Sequence, residues 1–572
     1  MPKYPKKKLA QLLLQACVAH NIEKVVISPG SRNAPLTLGF VNHPDISAYS
    51  IVDERCAAFF ALGIAQQTGR SVALLCTSGS ALLNYYPAIA EAYYSKIPLV
   101  VISADRPEQL IDIGDGQTIR QAGVFSNHIC FQTNLQSQGD ISGGQSQDEM
   151  LAGNALRISE ALETAKERRG PVHINIPFDE PLYETVNDLY NFKSLIKRPD
   201  QPVLDTLLTE EPILVEELEK FASVWNSAAK KMVLIGSNFP DELIAVQMQH
   251  MIKDPSVIIL TETTSNLSGK KYINCIDQLI FPLHEDQFED LQPDILLTFG
   301  GMVVSKRIKQ FLRGHKPKEH WHVDSHRSLD TFQCLTHHFE ISPQLFFSQF
   351  FFLSTAVESE YQAKWDQVNQ QRKLAHTKYL SSAEFSDIKV FDRILESLPA
   401  FCNLQLANSS IIRYSQLFDL KPGIKVFCNR GTSGIDGSTS TAIGAALGSA
   451  EQTVLITGDI SFFYDSNGLW NKYVPAHFRI IIVNNNGGGI FRFIPGPKAS
   501  DALDFFETTH QLSAAGLCEM YDFSYTKASN ENELIEKLAE FYKPSDKPAV
   551  LEIFTPSEKN DLILKDYFKQ LS

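Results

Sequence analysis

The sequence predicts an α/β protein made of three doubly wound domains with mostly parallel sheets. Three observations predict it. Short, nearly continuous apolar runs recur along the chain, as strands buried on both faces require. Helix-period stretches lie between most of them, giving the strand–helix alternation of such sheets. The length of 572 residues allows three or four domains at roughly 150 residues each.

The first group of strands is read at 25–28 (VVIS), 49–52 (YSIV), 72–76 (VALLC), 99–103 (LVVIS) and 172–177 (VHINIP), with helices expected at 55–67 and 81–94. The second group is read at 232–236, 257–261, 295–301 and 321–325. The third is read at 402–408, 425–429, 453–459, 479–485 and 549–555. Two polar stretches separate the groups. Residues 186–212 carry Pro199, Pro202 and Pro212, and residues 355–388 are charged and helix-prone. Both read as interdomain connections. The expected domains are therefore 1–185, 186–354 and 355–572. No short-period repeat is visible.

Composition narrows the function classes. The chain is 44% hydrophobic and 21% charged, with a net charge of −14, ordinary for a soluble globular protein. No Lys/Arg run extends beyond Lys6-Lys7-Lys8, which argues against nucleic acid as a partner. An acidic chain that binds anions must gather its arginines locally. The N-terminus is basic and then apolar, but Gln11, Gln15 and His20 interrupt the apolar part, so a first helix of the fold is expected there. No stretch approaches the ~18 apolar residues of a membrane span. Nine scattered cysteines form no CxxC pair, which argues against a zinc site or a disulfide framework. Buried, reduced thiols in a cytoplasmic protein are expected.

The strongest motif is TVLITGDISFF followed by RIIIVNNNGGG. One strand delivers Gly458-Asp459 at its carboxyl end, and the next delivers Asn484 to Gly488. Asp459 and Asn485 are 26 residues apart, the length of one helix plus one strand. That spacing brings both to the same edge of a parallel sheet, where ligands of open α/β sheets bind. A carboxylate, a side-chain amide oxygen and a backbone carbonyl are hard ligands suited to Mg²⁺, with phosphate oxygens and water completing the octahedron. Singly, Gly-Asp and Asn-Asn are ordinary strand-end turn residues. The two together at this spacing are not.

This arrangement resembles the diphosphate-binding motif of thiamine diphosphate enzymes, GDG followed by NN at the same spacing. Ile460 stands where most of that superfamily has Gly or Ser, a departure that removes no metal ligand. The resemblance implies that Asp459, the Asn485 side chain and the Gly487 carbonyl hold Mg²⁺, with Mn²⁺ as a workable substitute, and that Gly458 lies against the cofactor. It also implies an activating carboxylate bonded to the cofactor's aminopyrimidine. Asp53 and Glu54 both stand where strand YSIV runs into a helix, and the macrodipole alone would favour an acid at either. The choice of Glu54 as catalytic and cofactor-binding residue rests on the resemblance.

Polar and basic residues sit at strand ends or in adjoining loops in all three groups: Ser31-Arg32, Arg106, Gln117, Lys306-Arg307, Arg413 and Arg430. Arginine binds carboxylates bidentately, so such a set suits a polyanionic acid. The motifs SPGSR, DER, TSG, ADRP, NRGTSGIDG and VNNNGGGIF together closely resemble the 2-succinyl-5-enolpyruvyl-6-hydroxy-3-cyclohexene-1-carboxylate synthases of menaquinone biosynthesis, in the same order over nearly the whole chain. The middle segment is matched mainly through the SKR stretch. The resemblance implies a transferase that decarboxylates 2-oxoglutarate and adds the succinyl carbanion equivalent to isochorismate, with those basic and polar residues and Ser409 as substrate contacts. It implies that Ile435 bends the cofactor, and that Ile490, Phe491 and Ile494 form apolar walls. It implies a homo-oligomer with active sites shared between subunits. Gly116 stands where family members often carry Asn beside the Gln. An acetolactate synthase-like enzyme, needing fewer cations, and a noncatalytic anion-binding protein are the competing readings. None of the 15 histidines is placed in the pocket, and His337-His338 reads as a loop pair.

Overall fold

The computed structural model describes residues 3–137, 146–197, 210–492 and 501–571. Three sheets carry the fold, and every strand pair within them is parallel. The first runs in the spatial order Ser47–Ser50, Lys24–Ile27, Val72–Cys76, Leu99–Asp105, Val172–Pro177, Phe131–Asn134. The middle sheet runs Val257–Thr261, Lys231–Ile235, Ile295–Phe299, Glu319–Val323, His337–Phe339. The third runs Lys425–Cys428, Asn403–Leu406, Thr453–Gly458, Arg479–Asn484, Ala549–Phe554, Ser524–Ala528. The first and third sheets have the same order, so their expected likeness in type extends to topology. In each, the chain reverses direction across the sheet between its first and third strands. The crevice outside the carboxyl ends of those two strands is where such folds hold ligands.

Five described strands went unread in the sequence. Tyr4–Pro5 and Thr185–Val186 pair antiparallel as a separate two-stranded sheet, and the other three lie at edges of the main sheets: Phe131–Asn134, His337–Phe339 and Ser524–Ala528. An edge strand is covered on fewer sides, so its residues need not form an apolar run. His337-His338 is therefore part of a strand, not a loop pair, and His338 Nε2 lies 2.7 Å from the Asp324 carbonyl. The strand read as YSIV ends earlier, at Ser50, and Glu54 opens the helix Glu54–Thr68 after a short connection. The helix expected over 81–94 is two helices, Ser80–Asn84 and Tyr86–Ser95. Pro87 lies in the first turn of the second, where a missing N–H costs nothing.

The 355–388 stretch is more than a connection. Its helix Tyr361–Ser382 buries Tyr361 and Trp365 in the middle sheet's core. Farther along, the Tyr379 hydroxyl donates to the Ile563 carbonyl at 3.0 Å. The helix is thus a strut from the middle sheet to the C-terminal helix Asn560–Gln570. The helices Glu54–Thr68 and Ser438–Gly448 join the first and third units by near contact of their backbones. A Cβ on Gly63 would lie 2.0 Å from the Thr441 carbonyl oxygen, and one on Gly444 would lie 2.0 Å from that of Phe60. Only glycine allows this approach. All nine cysteines are free thiols, seven of them buried.

Candidate active site

The strand Thr453–Gly458 ends at the third sheet's crevice, and Asp459 is the first residue of the helix that follows. Its carboxylate is buried and accepts from two backbone N–H groups, Ile460 at 2.7 Å and Gly487 at 2.9 Å. Burial pushes the Asp459 carboxyl up to about 7, and the neighbouring Asp387 charge acts in the same direction. The next strand, Arg479–Asn484, delivers Asn485. Its Nδ2 donates to Asp387 Oδ2 at 3.0 Å, while its Oδ1 is buried with no hydrogen-bond partner. A buried polar oxygen without a partner is costly unless something absent from the chain completes it. Gly487 adopts φ +147°, and a Cβ there would meet the Glu507 carbonyl at 2.8 Å. The backbone therefore turns at Gly487 in a way a larger residue would obstruct.

Asp459, Asn485 and the Gly487 backbone thus offer a carboxylate, a free amide oxygen and a carbonyl, hard donors that fit Mg²⁺. Among the described residues, no group of three or more His, Cys, Asp or Glu side chains is placed to hold a metal alone. A metal held by these three donors would complete its coordination with oxygens from outside the chain, as a diphosphate and water supply. A cavity of about 260 Å³ opens here. It is lined by Ser409, Ile435, Gly458, Asp459, Asn485, Gly487, Ile490 and Phe491, eight of the residues singled out in the sequence. Phe491 packs against Phe506 with ring centroids 5.3 Å apart. Ile494 lies outside the described residues.

The remaining residues form two further groups. At the first sheet's carboxyl edge, Arg106 Nη1 donates to Ser78 Oγ at 2.9 Å and to the Gln117 carbonyl at 2.8 Å. Gln117 Nε2 donates to the Ser78 carbonyl at 3.2 Å. Arg32 joins this edge, its N–H donating to Thr77 Oγ1 at 3.3 Å and its Nη1 to the Phe178 carbonyl at 2.9 Å. Burial lowers the Arg32 pKa, and the nearby Arg106 charge lowers it further. Ser31 precedes Arg32 in the same turn. A Cβ on Gly116 would meet nothing within 4 Å, so the site has room for the Asn common at that position. Glu54 stands beside this group at its helix N-terminus, where Asp53, not Glu54, is the cap and accepts from the Cys56 N–H at 3.1 Å. Burial raises the Glu54 pKa, and Asp53 adds to the rise.

The second group lies between the middle and third sheets. Arg413 follows Ser409 on the short helix Ser410–Ser415, and Arg430 follows the strand Lys425–Cys428. Arg430 Nη1 donates to Asn408 Oδ1 at 2.7 Å. Among the described residues, neither guanidinium is in a salt bridge. Burial lowers the Arg413 pKa, and Arg430 lowers it further. Lys306 and Arg307 open the helix Lys306–Gly314 and are exposed, Arg307 lying 4.3 Å from the centroid of the Phe281 ring.

Sequence reading missed several residues here. Asp387 and Asn408 line the same cavity, and His510 Nε2 lies 3.3 Å from Asp459 Oδ2, so a histidine does stand at the pocket. Glu262 is buried and accepts from the N–H groups of Val304 at 2.6 Å and Ser305 at 2.7 Å. Lone acids and amides at strand and helix ends carry no signal in one sequence. Only the fold reveals what they face.

Family models agree with this architecture. Residues 7–133 match "Thiamine pyrophosphate enzyme, N-terminal TPP binding domain", 224–406 match "Middle domain of thiamine pyrophosphate", and 410–553 match the corresponding C-terminal TPP binding domain. The chain is 52% identical over 571 residues to the 2-succinyl-5-enolpyruvyl-6-hydroxy-3-cyclohexene-1-carboxylate synthase of Flavobacterium johnsoniae, covering 100% of both chains. The synthases of the same name from Christiangramia forsetii and Porphyromonas gingivalis are 51% and 38% identical, with at least 98% of each chain covered. With both outer sheets, the crevice at Asp459 and Asn485 and whole-length likeness in place, the chain belongs to the thiamine diphosphate-dependent 2-succinyl-5-enolpyruvyl-6-hydroxy-3-cyclohexene-1-carboxylate synthase family.

Proposed function

We propose that the protein decarboxylates 2-oxoglutarate and adds the resulting succinyl carbanion equivalent to isochorismate in a 1,4-addition, releasing CO₂. The carrying observation is the pair Arg413 and Arg430, two half-buried guanidiniums beside the cofactor cavity with no salt bridge among the described residues. Two cations with no direct ion-pair partner among the described residues, the Asp277 and Glu262 carboxyls acting on Arg413 from nearby, suit di-acid substrates better than pyruvate, which has one carboxylate. That favours this reading over an acetolactate synthase-like one.

Asp459, Asn485 and the Gly487 carbonyl would hold Mg²⁺, which in turn fixes the diphosphate. Bound thiamine diphosphate supplies the carbanion-stabilising centre on which the 2-oxo acid loses CO₂. Glu54 holds the proton exchanged with the aminopyrimidine ring, and its raised pKa suits that role. Ile435, Ile490 and Phe491 give an apolar bed that excludes water. Arg32, Arg106, Gln117, Lys306, Arg307, Arg413 and Arg430 orient the acids. Apart from Glu54, these residues act by placing charge, not by passing protons.

We further propose that the working unit is a homodimer with shared sites. Every described residue lining the cavity comes from 387–508, while Glu54 and the Arg32–Arg106 group sit on the first sheet. Val52 and Leu83 near Glu54, Tyr464 against Arg55, and Phe505 next to the cavity residue Phe506 are large apolar side chains left exposed, as a face awaiting a second copy would be. Nine free thiols fit a reducing cytoplasm, and no described helix is long and apolar enough to cross a membrane. Each of the three main sheets lies within one of the ranges 1–185, 186–354 and 355–572, but the first unit reaches past 185: the strand Thr185–Val186 pairs with Tyr4–Pro5, and Phe192 and Ile196 pack into the first core.

The test is mass analysis of the product from 2-oxoglutarate and isochorismate, together with Glu54→Gln. The expected outcome is the succinylated adduct, and a variant that keeps cofactor affinity within about tenfold while losing most turnover, because activation and not binding is removed. Near-normal turnover in the variant would remove Glu54 from its role.

A further inference from the structure

Glu91 lies on the helix Tyr86–Ser95 of the first unit, yet its carboxylate is spent on the third. It is 1% exposed, and it has no cation beside it among the described residues. One oxygen accepts from the Gly431 N–H at 2.8 Å and from Ser95 Oγ at 2.6 Å. The other accepts from the Thr432 N–H at 2.6 Å and from Thr432 Oγ1 at 2.8 Å. Two consecutive backbone N–H groups and a hydroxyl make an anion-binding concavity, and here the chain fills it with its own carboxylate. The fit is close: a Cβ on Gly431 would lie 2.7 Å from the Glu91 carbonyl and 2.9 Å from Ser95 Oγ.

The residue just before this concavity is Arg430. Burying a carboxylate is expensive unless it is fully hydrogen-bonded, so the four donors fix the loop tightly. The loop's other side is held by Asn408, whose Nδ2 donates to the carbonyls of Asn429 at 2.8 Å and Gly434 at 2.7 Å. Asn408 also takes one arm of Arg430, whose Nε is buried without a partner. The guanidinium's direction therefore depends on a loop clamped from two sides. Because Glu91 binds the backbone and not the guanidinium, the loop is fixed without spending the cation's charge.

We propose that Glu91 is a positioning residue for substrate recognition: by gripping the N–H groups of Gly431 and Thr432 it aims Arg430 at a substrate carboxylate. This rests on the reading of Arg430 as a substrate contact. Glutamine at 91 cannot serve both N–H groups. Whichever way its amide turns, its NH₂ opposes either Gly431 or Thr432, whereas the hydroxyls of Ser95 and Thr432 can turn to accept.

The experiment is a double-mutant cycle on the holoenzyme with Glu91→Gln, Arg430→Ala and the pair, reading KM for each acid, kcat and thiamine diphosphate affinity. Glu91→Gln should raise KM for at least one acid about tenfold, the scale of one buried donor left unpaired, with cofactor affinity within twofold of wild type. In the Arg430→Ala background the same change should add less than about twofold, since neighbours acting through one group are not additive. Independent, multiplying effects would overturn the proposal, as would an unchanged KM in Glu91→Gln. If Arg430→Ala alone leaves both KM values unchanged, the reading of Arg430 fails instead. Should Glu91→Gln not fold, Glu91→Asp, which keeps the charge and loses the reach, enters the same cycle under the same criteria.

Discussion

At the residue scale, the proposed metal site turns on which way one amide points. Asn485 can present Oδ1 or Nδ2 to the cavity, and only Oδ1 binds a cation. Asp387 decides the matter by accepting Nδ2 at 3.0 Å, while its other oxygen accepts from Thr555 Oγ1 at 2.6 Å. A partner that orients a metal ligand is typically worth 10–100-fold in metal affinity. Asp387→Leu should therefore weaken Mn²⁺ binding in the presence of thiamine diphosphate by at least about tenfold, read by electron paramagnetic resonance. Asp387→Asn should lose less, because the Thr555 hydroxyl can turn to accept the new amide and leave the carbonyl for Asn485. Equal affinity in Leu, Asn and wild-type proteins would show that Asn485 is oriented by something else. Asp459 and Asn485 were legible in the sequence because each follows an apolar strand at a telling spacing. Asp387 was not, because an acid after Ser386 at a helix start looks like any favourable N-terminal charge.

At the scale of elements, the strands legible in the sequence were those buried on both faces, such as Val72–Cys76 and Ile295–Phe299. The edge strands lacked that signature. The same limit hid Glu262, which follows the strand Val257–Thr261 and looks like a solvated strand-end acid. In the fold it is 2% exposed and clamps Val304 and Ser305, the residues just before Lys306 and Arg307. Ser305 in turn bonds Asp277 through its hydroxyl. Burial pushes the Glu262 carboxyl up to about 7, Asp277 adds to the rise and Arg430 opposes it. Arg413 and Lys309 also face this group. A carboxyl whose folded pKa exceeds its unfolded value holds its proton longer in the folded state. Its contribution is complete below the unfolded pKa, near 4.5, and is lost as pH rises through about 7. Between those limits wild type should lose about 3 kcal/mol more unfolding free energy than Glu262→Gln. Urea titrations of both proteins at pH 4.5 and just above pH 7 check this. Parallel pH profiles would mean that Glu262 stays ionised throughout.

At the scale of the whole molecule, the helices Glu54–Thr68 and Ser438–Gly448 lock the first and third units of one chain together. That contact leaves Glu54 on one surface and the Asp459 cavity lined from its own unit. Asp53 Oδ2 accepts from Asn467 Nδ2 at 2.8 Å, and Arg55 Nη2 donates to the Tyr464 carbonyl at 2.9 Å. The residues flanking Glu54 are thus tied within the chain to the segment that follows Asp459. If two copies complete each other's sites, Glu54 and Asp459 of one polypeptide serve different sites. Glu54→Ala and Asp459→Ala homodimers should then both be inactive. A mixed dimer has one site with both lesions and one with neither. Random exchange makes about half the dimers mixed, so about a quarter of wild-type activity should return under two-fold symmetry. A site built within one chain gives no recovery, since every site keeps one lesion. Native mass spectrometry of subunits of distinct mass verifies the exchange, and silence after verified exchange would rule out the shared site.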